Sequence, residues 1–217
     1  KDPVRIQVGQ ISPVKSVAHA LYPVPNTLKK SLLFAILEQT PTGRVLIFTR
    51  TKYRARNLAR DLVKRGYRAE ALQGNMSQNK RQRAIDGFRG KKYDILVATD
   101  VASRGIDVLD ISHVINYDIP DAADTYTHRI GRTGRADRTG EAFTFASSED
   151  TQMVLEIEHT IGEPIERRTL QDFNYGSFVP ENHFQRKHSK QKRSTPSRRR
   201  VRKRRNRTRS KKVHTSD

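Results

Sequence analysis

The chain has 217 residues, with 43 Lys and Arg against 23 Asp and Glu and a formal net charge of +20. This length suits one domain of ordinary size plus an extension. The absence of cysteine excludes a disulfide scaffold and thiolate zinc sites, and it fits the reducing cytoplasm in which we expect the protein to reside. No apolar stretch approaches the roughly 20 residues that a membrane span needs, so we expect no membrane partner.

Residues 1–26 contain Pro3, Pro13, Pro23 and Pro25 together with short apolar alternations. Because proline disfavours helix and is confined to the edges of sheets, the segment is predicted to be an interdomain linker or an edge strand. The chain opens without an initiator Met, which suggests a piece of a longer protein.

Residues 27–172 alternate between strand and helix patterns. The apolar run at 44–49 is typical of a strand buried on both faces, and residues 51–65 carry apolar side chains at helical spacing up to Gly66. Further strands are predicted at 67–72, 93–99, 112–118 and 140–146, and further helices at 78–88, 121–130 and 149–161. This alternation predicts an α/β domain with a parallel sheet covered by helices.

In parallel sheets of this kind, binding residues lie beyond the carboxyl ends of the strands. We therefore expect the functional residues just after Phe48, Leu72, Thr99 and Tyr117.

The segment VATDVASRGIDV at 97–108 places Thr99 and Asp100 at the end of a buried strand, before a turn of small residues. A hydroxyl and backbone amides at such a turn can bind a phosphate, and Gly105 permits a close backbone approach. The alternative is an ordinary helix N-cap followed by a turn.

The segment HRIGRTGR at 128–135 has glycines at 131 and 134 and arginines at 129, 132 and 135. The glycines are predicted to end a helix near Ile130. Arginine is the residue that stabilises charge on a transferring phosphoryl group, so the spacing favours an arginine finger over a generic basic loop.

Residues 173–217 lose hydrophobic periodicity and are predicted to be a disordered basic tail. Between Arg186 and Lys212 there are sixteen Lys and Arg and no acidic residue. These like charges repel one another strongly, and an anionic partner would relieve that repulsion. The segment is therefore predicted to bind phosphate groups rather than to be a solvated surface or a targeting signal. The candidate contacts are Arg199, Arg200, Arg204 and Arg205.

The segments ATDVASRGID and HRIGRTGR, in this order and about twenty residues apart, resemble motifs V and VI of the DEAD-box RNA helicases. VLIFTRTK at 45–52 resembles motif IV, QNKR at 78–81 matches the Gln-x-x-Arg motif, and HVINYDIP at 113–120 is similar to the segment between motifs V and VI. The similarity covers about residues 20–165. VAHALYPVP at 17–25 resembles the bacterial RhlE-like subgroup.

The resemblance implies a RecA-like fold and a role for each matching residue. Asp107, with Gly105, would bind the nucleotide, Arg132 and Arg135 would reach the phosphates of ATP, and His128 would couple this site to another domain. RNA contacts would come from Arg50, Gln78, Arg81, Thr99 and Arg104. Without the resemblance to the helicase motifs, His128 would be interpreted as a surface histidine. Gln78 and Arg81 would then be interpreted as part of an exposed first helical turn.

The sequence contains neither a G-x-x-x-x-G-K-[ST] loop nor an Asp-Glu-Ala-Asp motif. In the family these elements hold Mg²⁺ and the β- and γ-phosphates in the N-terminal RecA-like domain. The resemblance therefore implies a C-terminal motor half that uses ATP, with Mg²⁺ held mainly by that other domain, and that is inactive alone.

The expected partners are that N-terminal domain and RNA, single-stranded or duplex, bound without sequence specificity. Two other functions stay open: a stand-alone RNA-binding or annealing module, and a helicase that acts on DNA.

Overall fold

A computed structural model describes residues 17–40, 43–103, 106, 108, 110–134 and 140–180. Within these residues, seven strands form one parallel sheet. The strands are β1 (Val17–Pro23), β2 (Arg44–Phe48), β3 (Ala69–Leu72), β4 (Ile95–Ala98), β5 (Ile111–Asn116), β6 (Gly140–Ala146) and β7 (Glu166–Arg167). Their order across the sheet is β3-β4-β2-β5-β6-β1-β7. The prediction of an α/β domain with a parallel sheet is confirmed.

Helices cover both faces of the sheet. They are α1 (Lys29–Gln39), α2 (Lys52–Lys64), α3 (Gln78–Arg89), α4 (Asp100–Ser103), α5 (Ala123–Ile130) and α6 (Thr151–Ile161). Apolar residues of α1 and α2 pack on one face, and those of α3, α5 and α6 pack on the other. The central strands are apolar at nearly every position because both of their faces are buried.

Local signals fix where the helices begin and end. The Thr51 side chain accepts a hydrogen bond from the Arg54 backbone N–H at the start of α2, and Ser77 does the same for Lys80 at the start of α3. Gly66, just after α2, has φ of +90°, a conformation that favours glycine. No helix in the described ranges is long and apolar enough to cross a membrane.

The structure corrects the prediction for the segment before residue 27. Residues 17–23 form β1, which pairs with β6 on one side and β7 on the other, so they are neither a linker nor an edge strand. Proline is tolerated here because Pro23 and Pro25 lie at and beyond the end of the strand. Residues 1–16 lie outside the described residues.

The predicted boundary at residue 172 is too early. Phe173 packs against the core on the α1 side, and its ring lies 4.8 Å from that of Tyr175 in an edge-on arrangement. The Tyr175 hydroxyl accepts a hydrogen bond from the Leu170 backbone N–H at 3.0 Å. Residues up to 180 therefore extend the folded domain, whereas the rest of the predicted tail, 181–217, lies outside the described residues.

Candidate functional site

The carboxyl ends of the inner strands are aligned in one row. Ala98 at the end of β4 pairs with Leu72 of β3 and with Phe48 of β2, and Phe48 pairs with Asn116 of β5. The loops that follow these strands therefore start side by side at one edge of the sheet. Arg50 and Thr99, which follow Phe48 and Ala98 within two residues, therefore lie at this edge.

Thr99 follows β4 and is buried. Its carbonyl accepts hydrogen bonds from the backbone N–H groups of Ala102 at 3.0 Å and Ser103 at 2.9 Å, so it stands at the start of the short helix α4. The structure thus places Thr99 at the turn that the sequence predicts. The other candidates of this segment, Arg104, Gly105 and Asp107, lie outside the described residues.

Arg50 follows β2 and is fixed by the loop after β5. Its backbone N–H donates to the Asp118 carboxylate at 2.9 Å, and its guanidinium pairs with Asp121 at 3.1 Å. The other oxygen of Asp118 accepts a hydrogen bond from the Arg54 guanidinium. Buried Asp118 therefore ties the β2 and β5 loops together and leaves the Arg50 side chain half-exposed at the edge.

Gln78 and Arg81 lie in the first turn of α3, after the loop that leaves β3. Gln78 is exposed and Arg81 is half-buried. Their position at the same edge suits an RNA contact, and it equally suits an exposed helical turn.

The segment 128–134 ends α5 as predicted. His128 is exposed in the last turn, and Gly134 has φ of +67°. The Arg132 guanidinium donates to the Ile106 carbonyl at 3.1 Å, which places Arg132 against the loop after β4. Arg135 lies outside the described residues.

Thr133 fixes this turn to the sheet. It is buried, and its hydroxyl donates to the carbonyls of Ile111 and Ser112 at the start of β5. A Cβ added to Gly140 would lie 2.0 Å from the Thr133 hydroxyl and 2.5 Å from the Gly134 nitrogen. Only glycine at the start of β6 allows the turn to approach this closely.

Arg129 is a residue of the site to which the sequence assigned no separate role. Its side chain is buried, and it donates to both carboxylate oxygens of Asp100 at 2.7 Å. It also donates to the Asn116 side chain at 3.2 Å and to the Asp118 carbonyl at 2.7 Å. Its place on the buried face of α5, beside Ile130, is the sequence signal that distinguishes it from the two other arginines.

Burial shifts two ionisable groups near this edge. It raises the pKa of the Tyr117 hydroxyl to about 12 and lowers the pKa of the Lys29 ammonium, which pairs with Asp150 at 3.6 Å. No cluster of three or more His, Asp or Glu suited to a metal occurs in the part of the chain that the structure describes.

The structure thus brings Arg50, Gln78, Arg81 and Thr99 to loops and helix starts at the carboxyl edge of the sheet, and it places His128 and Arg132 at the end of α5. The tail candidates Arg199, Arg200, Arg204 and Arg205 lie outside the described residues.

Comparisons with known proteins identify the family of the chain. Residues 28–137 match the family described as the helicase conserved C-terminal domain. The chain is 38% identical over 189 residues to the rice DEAD-box ATP-dependent RNA helicase 21. The alignment covers 83% of this chain and 26% of that relative. It is 43% identical over 145 residues to the ATP-dependent RNA helicase SrmB of Haemophilus influenzae. That alignment covers 67% of this chain and 33% of that relative. The chain thus spans about a third or less of these two relatives.

Among solved structures, the chain is similar to the Escherichia coli DEAD-box protein SrmB in its complex with regulator of ribonuclease activity A. The two are 38% identical with a TM-score of 0.67, over 72% of this chain and 92% of that one. A DEAD-box protein from Methanococcus jannaschii is 35% identical with a TM-score of 0.66, over 71% of this chain and 42% of that one.

Proposed function

Since the chain belongs to the DEAD-box RNA helicase family, in which it matches the C-terminal helicase domain, we propose that it forms the second, RecA-like motor half of an ATP-dependent RNA helicase. In this role it binds the RNA backbone and supplies arginines to an ATP site shared with an N-terminal motor domain. The observation that carries the proposal is the row of strand ends that bears Arg50 and Thr99, together with the contact of Arg132 with the loop that follows β4 and α4. The subgroup suggested by residues 17–25 stays a prediction.

The side chains present suit one half of a nucleotide site. The Arg132 guanidinium matches the geometry of phosphate oxygens, and it lies half-buried against the loop that leads to Asp107. Bound ATP would supply the phosphoryl group that is transferred to water. Arg132 and Arg135 would stabilise the charge on that group, and Asp107 with Gly105 would bind the nucleotide.

Mg²⁺ is assigned to the other domain. The sequence lacks the G-x-x-x-x-G-K-[ST] loop and the Asp-Glu-Ala-Asp motif, which hold Mg²⁺ and the phosphates in the family. This division of ligands explains why the chain alone is expected to be catalytically silent.

The RNA side of the proposal rests on phosphate contacts. Arg50, Gln78, Arg81 and Thr99 lie on segments that start at the carboxyl edge, where they would contact or position backbone phosphates. Arg104 is proposed to do the same on the basis of the sequence. Contacts of this type carry no base information, so RNA binding at these residues is expected to be sequence-nonspecific. The basic tail would hold RNA nearby by charge.

The test is reconstitution with a matching N-terminal motor domain. We expect negligible ATPase activity for the chain alone and RNA-stimulated activity for the pair. Arg135→Ala should lower turnover of the pair by a factor on the order of 10³ or more while RNA binding by the chain stays close to wild type. Unchanged turnover would refute the arginine-finger assignment.

The same assay separates the competing functions. A stand-alone RNA-binding module would bind RNA but show no ATPase with any N-terminal motor domain. Stronger stimulation by DNA than by RNA of equal length would favour a DNA-directed helicase, because 2′-hydroxyl contacts distinguish the two nucleic acids.

A further inference from the structure

A cleft opens beside the first turns of α2. Its volume is about 320 Å³, and it is lined by Lys30, Thr51, Tyr53, Arg54, Asn57, Leu58, Asp61 and Tyr117. Leu58 and Tyr117 are buried and give it an apolar floor. Because α2 starts directly after the β2 loop, the cleft lies next to Arg50 at the carboxyl edge of the sheet.

Tyr53 stands at this cleft with 62% of its surface exposed. An isolated exposed aromatic residue needs no explanation. This ring, however, lines a cleft with an apolar floor, and the Lys52 ammonium lies 5.3 Å from the ring centroid. An exposed aromatic ring beside a basic side chain is the arrangement on which bases of single-stranded nucleic acids stack.

The rim of the cleft is polar and carries both signs of charge. The Asp61 carboxylate pairs with the Lys30 ammonium at 3.2 Å, and the Asn57 side-chain oxygen accepts a hydrogen bond from Arg60 at 3.2 Å. A carboxylate repels a phosphate group at this position. A flat group with both N–H donors and acceptors on its edge fits these side chains better.

We propose that this cleft binds one unpaired nucleobase of an RNA strand whose phosphates lie across the strand ends near Arg50. The base stacks on Tyr53, and its edge faces Asn57 and Asp61. Purines are favoured because their larger rings stack more strongly. The proposal rests on the RNA-binding function proposed above and adds to it one position at which the domain responds to the base.

The experiment measures binding of short single-stranded RNA to the full-length chain by fluorescence anisotropy. Elevated salt is used so that the contribution of the basic tail is reduced. The RNAs are an adenosine run, a uridine run and an adenosine run with abasic positions. The variants are Tyr53→Ala and Tyr53→Phe, with Val63→Ala as the matched control, because Val63 is a 53% exposed residue near the other end of α2.

Tyr53→Ala should weaken binding of the adenosine run by about fivefold or more, which is the loss expected for one stacked base. Tyr53→Phe and Val63→Ala should bind as the wild type does. The wild type should bind the adenosine run more tightly than the uridine run, and Tyr53→Ala should reduce that difference. On the abasic RNA, wild type and Tyr53→Ala should bind equally.

Equal binding of intact RNA by wild type and Tyr53→Ala would overturn the proposal, and so would an equal loss on abasic RNA, which would mean that the ring contacts sugar or phosphate. Either result leaves RNA binding itself in place. Failure of the wild-type chain to bind any RNA at low salt would instead refute the proposed function.

Discussion

Arg129 donates from Nε and Nη2 to the two carboxylate oxygens of Asp100, both at 2.7 Å. The same guanidinium binds the Asp118 carbonyl and lies 4.9 Å from the centre of the Phe48 ring. One buried side chain of α5 thus contacts the end of β2, the start of α4 and the loop after β5. It connects the residues proposed to contact RNA with the turn that carries Arg132.

Arg129→Lys is expected to lower the RNA-stimulated turnover of the reconstituted enzyme. Lysine keeps the charge but cannot reach both Asp100 oxygens and the Asp118 carbonyl together. Displacement of the surrounding loops should cost roughly a hundredfold in turnover, as small misplacements in active sites do. The domain should lose about 2 kcal/mol of unfolding free energy, measured by urea denaturation, because hydrogen bonds to charged groups are lost.

Arg167→Lys is the matched control. Arg167 is also a largely buried arginine, and its guanidinium pairs with the buried Glu158 carboxylate and donates to the Ile165 carbonyl. It lies in β7, at the far side of the sheet from β2 and β4. This variant should lose stability but keep its turnover, and an equal loss of turnover in both variants would contradict a positioning role for Arg129.

Gly140→Ala is expected to destabilise the domain and to lower turnover. The new methyl group would collide with the Thr133 hydroxyl and the Gly134 backbone, so the turn carrying Arg132 would have to move. Overpacking of this kind costs about 1–3 kcal/mol, which urea denaturation can measure. Gly74→Ala, where nothing lies within 4 Å of the added methyl, should leave unfolding unchanged. If Gly140→Ala had the same unfolding free energy as the wild type, the turn would not be packed as described.

Stability is expected to fall below neutral pH. Burial lowers the pKa of the His19 and His113 rings below the ordinary value of about 6.5, and nearby Glu163 and Glu141 offset this only in part. These rings then stay neutral in the folded state at a pH where the unfolded chain protonates them. The unfolded state binds more protons, so stability is lost as pH falls through about 6.5.

Thermal unfolding at pH 7.5 and 5.5 measures this effect. The double variant His19→Gln, His113→Gln should show a smaller drop in melting temperature than the wild type. His159→Gln, which removes an exposed histidine, is the control. Equal drops in the double variant and the wild type would rule out these two rings as the source.

Removal of residues 186–217 is expected to weaken RNA binding and its dependence on salt. Each phosphate contact on a single strand contributes a slope of about −0.7 to the plot of log affinity against log salt concentration. The sixteen basic residues of this segment can supply several such contacts. Anisotropy titrations over a range of salt should give a shallower slope for the truncated chain. An unchanged slope would assign RNA tethering to the folded domain.

The buried strands could be predicted because each carries its own signal. β2, β4 and β6 are short apolar runs, since both of their faces are covered by helices. The residues of α1 give no clear helical pattern, because the helix is buried along much of its surface and its apolar residues do not fall on one face. The sequence does not indicate that β1 lies inside the sheet, because its burial depends on pairing with β6, far along the chain.

In the candidate site too, features with a local sequence signal could be predicted, whereas features that depend on distant residues could not. The rule for parallel sheets correctly placed Arg50 and Thr99 at the carboxyl edge. The role of Arg129 depends on Asp100, 29 residues earlier, and no local pattern joins the two. Long-range polar contacts of this kind require coordinates.

The position of β1 also has a consequence for biosynthesis. Val17 at its start pairs with Gly140, and β6 is the strand that covers most of its length. At about 5–20 residues per second, β1 is synthesised roughly 6–25 s before β6 exists. During that delay an apolar strand containing Leu21 and Tyr22 has no partner from its own sheet. Pairing at such sequence distance also slows folding, so the nascent chain is expected to depend on chaperones until β6 has left the ribosome.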